Sequence, residues 1–272
     1  MIWRRMGAAI AALLLLAVAL CAEPLEDDVA RVLRLDEVAV ILRDEGLRHG
    51  ADIEADMLGG RGGRYFQDRV AALYDPGRMR AALLGALAET LDDDQMRAVI
   101  AFFGTDRGQR ILTLENAGRV AMADPAVEEL ARARYLASAG GDDGHLAEVM
   151  RFVEINDLIE RNVTSALESN YHFLRGLADG GGARMTEDEI LTEVLSQQEE
   201  LRADTTGWIY GFLLMAYQPL ERETLRAYSD FSASSAGSAL NAALFTGFDR
   251  IYNAIFYELG IAVAQAMNGS DI

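Results

Sequence analysis

Apolar positions along this chain recur at three- and four-residue steps, and no run of alternating apolar and polar residues is long enough to argue for a sheet. Met96, Val99, Ile100 and Phe103 show the helical spacing in a single stretch. Four local signals mark where helices should begin. Asp75-Pro76 and Asp124-Pro125 each set a capping acceptor before a proline at the first helical position. Thr186 with Glu189 forms a capping box, and Thr90 followed by Asp92, Asp93 and Asp94 puts negative charge in a first turn. Two segments are apolar over more than one face: WIYGFLLMAY from Trp208 and LFTGFDRIYNAIFYELGIAVAQAM from Leu244. They read as a central pair of core helices or as the walls of an apolar groove. The predicted class is all-α, a helical bundle.

The pattern also repeats. LDDDQMRAVIAFFGTDRGQRIL from Leu91 returns as LERETLRAYSDFSASSAGSALN from Leu220, pairing Leu91 with Leu220, Arg97 with Arg226, Ala98 with Ala227, Phe102 with Phe231 and Gly108 with Gly237. The same register sets Asp75 on Asp204, and upstream VARVLRLDEV from Val29 resembles VMRFVEINDL from Val149. A tandem duplication is therefore expected, with helical halves over 23–143 and 144–272 that each close their own bundle. In each half one helix should end after Phe102 or Phe231, and Thr105 or Ser234 should cap the next. Gly108 or Gly237 then falls in a first turn, where glycine costs about 1 kcal/mol relative to alanine. Close approach of the two helices is the simplest reason to keep it.

The two stretches resemble a motif of the exported bacterial family known as domain of unknown function 2059. In that motif an acidic-capped helix leads to a Phe-aromatic pair, then Ser-Pro-x-Gly and a second helix. Phe102-Phe103 stand as the aromatic pair and Thr105-Asp106-Arg107-Gly108 as the turn, while the copy with Phe231, Ser234 and Gly237 is looser. Asp106 and Ser235 occupy the place of the proline. The resemblance implies a small helical exported domain and no activity.

Composition narrows the setting. Of 272 residues, 51% are apolar, ample for a core, and Ala, Leu, Glu and Arg outweigh the β-branched types. The chain opens with MIWRRMG, an apolar run from Gly7 to Leu20, then Cys21-Ala22. That is the layout of a secretory signal peptide over residues 1–22, too short for a comfortable membrane span, and it predicts a periplasmic mature protein without a transmembrane segment. Cys21 admits a second reading, a lipid anchor, although Leu20 stands where a small residue is usual. Cleavage after Ala22 would leave no cysteine and hence no disulfide. The formal charge of −18 becomes two units more negative without the leader, which disfavours nucleic acid and anionic lipid as partners.

No catalytic, cofactor or metal constellation emerges. His49, His145 and His172 are far apart in sequence, and Asp92-Asp93-Asp94 lacks the ligand alternation of a calcium loop. The glycine-rich stretches GGDDGH and DGGGAR follow no strand, and no GxSxG elbow occurs. The expected function is that of a non-enzymatic binding or scaffolding module of the cell envelope, with another envelope protein or a second copy as partner. Two alternatives stay open. One is a carrier holding a small apolar ligand between the helices of Trp208–Tyr217 and Phe245–Tyr257. The other is an enzyme whose carboxylates converge only in three dimensions.

Overall fold

The structure, a computed structural model, describes residues 24–138 and 144–269. The leader, Cys21 and most of the glycine linker at 139–143 lie outside them. The described residues form thirteen helices and no strand: α1 (Leu25–Val32), α2 (Leu35–Leu58), α3 (Gly63–Leu73), α4 (Pro76–Thr90), α5 (Asp93–Phe103), α6 (Asp106–Met122), α7 (Pro125–Ser138), α8 (Gly144–Ile155), α9 (Leu158–Asp179), α10 (Glu187–Ser196), α11 (Gln198–Ala216), α12 (Arg222–Ser232) and α13 (Ser235–Met267). The protein is all-α.

Local chemistry sets the helix starts. Asp75 Oδ1 accepts from the Arg78 N–H at 2.8 Å with Pro76 in the first position, and Asp124 Oδ1 accepts from Ala126 at 2.9 Å. Thr186 and Glu189 cap each other reciprocally. The expected acidic first turn of α5 is present in Asp93 and Asp94, while Thr90 is the last residue of α4 and Asp92 forms a capping box with Gln95. The shorter aspartate accepts from the Gln95 N–H at 2.8 Å while the glutamine returns a bond to the Asp92 N–H at 2.9 Å.

Two short breaks, α1/α2 and α8/α9, share an unusual backbone. Arg34 (φ 57°) and Asp157 (φ 51°) are the non-glycine residues in the left-handed region among the described residues, a conformation costing roughly 1–2 kcal/mol. Each break is tied down by an amide from a later helix: Gln109 Nε2 donates to the Val32 carbonyl at 2.7 Å, and Asn241 Nδ2 to the Asn156 carbonyl at 2.9 Å. These breaks set Arg34 against Asp157, whereas matching Val29 to Val149 sets Arg34 against Glu154. The sequence register is off by nearly one helical turn. Such a slip keeps the apolar stripe on the same face, so periodicity alone does not detect it. The pairing of Asp75 with Asp204 fails similarly: Asp75 is a cap, while Asp204 lies inside α11 and pairs with Arg132 at 3.0 Å.

The halves do not close separate bundles. One apolar cluster joins Leu42, Phe66, Leu73 and Tyr74 to Ile255, Leu259 and Val263; a second joins Leu83, Leu87 and Phe103 to Leu240 and Ala243; a third sets Ile111 among Phe152, Leu213 and Leu225. The exchange is mutual, since α13 packs on α4 and α6 packs on α11. The reason lies in α13, which is apolar on two sides and needs a partner on each. One side lies against α9 at a close crossing, where a Cβ on Gly176 would sit 2.0 Å from the Tyr257 carbonyl oxygen. The anticipated pairing of the Trp208 and Leu244 segments does not occur either. Helices α11 and α13 both pack on α9 and make little contact with each other, and the space between them stays open.

Candidate functional site

The two hairpins α5/α6 and α12/α13 form one end of this space. Thr105 Oγ1 accepts from the Gly108 N–H at 3.1 Å and donates to the Phe102 carbonyl at 2.7 Å. Ser234 Oγ accepts from the Gly237 N–H at 3.2 Å and donates to the Phe231 carbonyl at 2.6 Å. The helices before them end one residue later than expected, at Phe103 and Ser232. A Cβ on Gly108 would meet Phe103 Cα at 2.5 Å, and one on Gly237 would meet the Phe231 oxygen at 2.1 Å. Close approach is thus the physical reason for both glycines. The hairpins also meet each other. Phe102 stacks on Phe231 with centroids 4.3 Å apart at 15°, and Phe103 stands edge-on to Phe231 at 5.5 Å and 87°.

Beyond this aromatic junction lie two adjoining cavities, or lobes, of about 340 and 350 Å³, which share Arg119, Asn162, Phe245 and Phe248 as lining residues. The first lobe is walled by Phe103, Phe152, Phe212, Tyr217, Tyr228 and Phe231, with Glu115 among them. The second is walled by Leu42, Ala166, Tyr252 and Phe256, and its polar side includes Ser165, Ser169, Asn170 and Asp249. Phe212 and Tyr217 of the first two-sided segment and Phe245, Phe248, Tyr252 and Phe256 of the second thus line this space. A mostly apolar concavity with convergent polar groups on one side is the usual make-up of a small-molecule site.

Residues 77–134 match a family model described as an uncharacterized protein conserved in bacteria (DUF2059). The matched segment runs from α4 into α7, holds the first hairpin, and supplies Phe103, Glu115 and Arg119 to the cavity. Neither a curated protein nor a solved structure matches the chain. Among the described residues no helix is long and apolar enough to cross a membrane.

Glu115 is the most perturbed acid in the cavity. Burial pushes its carboxyl up to about 7, against the opposing pull of hydrogen bonds from Tyr217 and Tyr228. The Tyr217 hydroxyl donates to Oε1 at 2.5 Å, and burial holds both phenols well above their ordinary pKa, so they stay protonated donors. Arg119, one turn further along α6, is engaged elsewhere: its Nε and Nη2 donate to Glu45 of α2 at 2.8 and 2.9 Å. Burial opposes the guanidinium charge, but the bonds and charge of Glu45 outweigh it and raise the pKa. In the second lobe burial raises Asp249, while a hydrogen bond from Ser165 and the charge of Arg161 work the other way.

No sequence motif marked Glu115, Arg119 or Glu45. One signal was present: Glu115 and Arg119 lie on the stripe traced by the buried Gly108, Ile111, Leu112 and Met122, so two charged residues interrupt the inward face of α6. The histidines do not converge. His49 packs on Phe256 at 5.7 Å and His172 on Tyr171 at 5.4 Å. Asp93 and Asp94 pair with Arg97 at 3.0 and 2.9 Å, and no group of three or more metal-ligating side chains gathers among the described residues.

Proposed function

We propose that this is an exported, non-enzymatic binding protein of the bacterial cell envelope that holds a small, largely apolar ligand in the cavity between its halves. The observation that carries this reading is the pair of adjoining lobes, whose surface is mostly apolar and walled by aromatic side chains from α5, α8, α11, α12 and α13. The leader pattern of residues 1–22 supports export and periplasmic residence. The shared backbone of the two breaks and the matching caps at Thr105 and Ser234 support descent of the halves from one duplicated ancestor. Binding of a neutral solvatochromic naphthylamine tests the proposal, with Ala166→Phe as the variant that fills the second lobe. Saturable binding that weakens in the variant, at unchanged helicity, is expected. Absence of binding, together with nothing extracted by organic solvent from protein purified from its native envelope, would sink it.

One observation favours a second reading. A carboxyl titrating near 7 inside an aromatic cavity is suited to general acid–base work, with Glu115 as the transferring group. Turnover of a bound molecule that disappears in Glu115→Gln would establish the enzyme in place of the carrier.

A further inference from the structure

We infer that the ligand carries an organic cation, a protonated amine or a quaternary ammonium on an apolar body, and that Glu115 holds it within the aromatic wall of the first lobe. This rests on the cavity being a ligand site. The charge inventory of the lining decides the sign. Arg119 is the basic residue of the lining, and its guanidinium is paired edge-on with Glu45. Arg161 lies 5.2 Å from the Phe245 ring centroid and acts on Asp249 of the second lobe. No basic side chain among the described residues pairs with Glu115, whose recorded partners are the phenols of Tyr217 and Tyr228.

The walls match that charge. Phe152 and Tyr228 have ring centroids 4.6 Å apart, and Tyr217 stands edge-on to both, at 5.8 and 6.3 Å. A carboxylate beside several aromatic rings is the combination that recognises alkylammonium groups. The phenols, by donating to Glu115, fix where its oxygens point. The net charge of −18 gives the whole molecule a field that draws cations and repels anions.

The ionisation of Glu115 gives the proposal a signature. A cation favours the carboxylate, so binding near neutral pH expels a proton and affinity rises as pH passes through about 7. The other groups around this network are Tyr217 just after α11, Tyr228 of α12, Arg119 of α6, Glu45 of α2 and Tyr252 of α13. The tyrosines are held above their ordinary range, and Arg119 likewise, so none of these four titrates there.

The test compares three probes with one eight-carbon chain, octyltrimethylammonium, octanol and octanoate, titrated calorimetrically into the full chain between pH 6 and 8. Two buffers of different ionisation enthalpy report protons released. Octyltrimethylammonium should bind at least about tenfold more tightly than octanol, with proton release that is largest at pH 6 and has faded by pH 8. Glu115→Gln should abolish both the preference and the release, and Asp249→Asn should leave both in place. Octanoate binding tightest would assign the head group to the free edge of Arg119 and overturn the inference. Equal affinities for all three, or an absence of proton release from the unsubstituted protein, would overturn it while leaving an apolar ligand site. Failure of all three to bind would count against the cavity as a ligand site as well.

Discussion

Replacing a helical glycine by alanine usually stabilises a helix by about 1 kcal/mol, because glycine has more backbone freedom to lose. Gly237 should reverse the sign. Its added Cβ would sit 2.1 Å from the Phe231 oxygen and 2.6 Å from Ser232 Cα, about 1 Å or more inside ordinary contact at roughly 3.5 Å. Both neighbours are backbone, fixed by the Ser234 cap and the end of α12, so no side chain can swing aside. Overpacking of this kind costs about 1–3 kcal/mol or more, and after the propensity gain Gly237→Ala should lose about 2 kcal/mol. Gly108→Ala, whose nearest contacts are 2.5 and 2.6 Å, should lose somewhat less. Gly85 is the internal control: it lies within α4 and a Cβ there meets nothing within 4 Å, so Gly85→Ala should gain up to about 1 kcal/mol. Urea unfolding followed by helical circular dichroism reads all three as midpoint shifts at constant slope. Gly237→Ala as stable as the parent, or no less stable than Gly85→Ala, would refute close approach as the reason for the hairpin glycines.

Glu115 links stability to pH. Its folded pKa, about 7, exceeds the unfolded 4.5, so its contribution is complete below 4.5 and is lost as pH rises through 7, by about 3 kcal/mol at 1.36 per unit. Relative to the parent, Glu115→Gln should therefore gain stability from pH 5 to about 7 and level off above it; parallel stability curves would contradict this. Removing Arg119 leaves Glu45 half-buried and unpaired, so Arg119→Met should cost about 1–2 kcal/mol. Recovery in Arg119→Met with Glu45→Leu, measured by the same unfolding, would identify the lost pairing as the cause. At the hairpin junction Phe102→Leu should cost about 1 kcal/mol by removing its stack on Phe231. Because the partners face each other across the halves, a double substitution with Phe231→Leu should be less than additive.

What could be read along the chain is what neighbouring residues decide. Helix class, the caps at Asp75, Asp124 and Thr186, and the Thr105 and Ser234 turns each depend on groups within a few positions, so composition and spacing reveal them. The acidic start of α5 is equally local, with Asp92 capping the helix and Asp93 and Asp94 in its first turn. The upstream register slipped by a turn because helical periodicity is nearly unchanged by such a slip. Tertiary structure alone decided which surfaces the apolar faces meet. The two-sided stripe of α13 stated that it must be covered twice, but not that α9 and α4, from opposite halves, would cover it. It likewise placed Glu115 of α6 beside Tyr217 and Tyr228, and Arg119 beside Glu45 of α2. Those residues lie from about 70 to more than 100 positions apart, and among 43 acidic side chains no local spacing singles out the one that ends inside a cavity. Local physics determined the helices and their ends, while long-range packing made the space between them and set its charge.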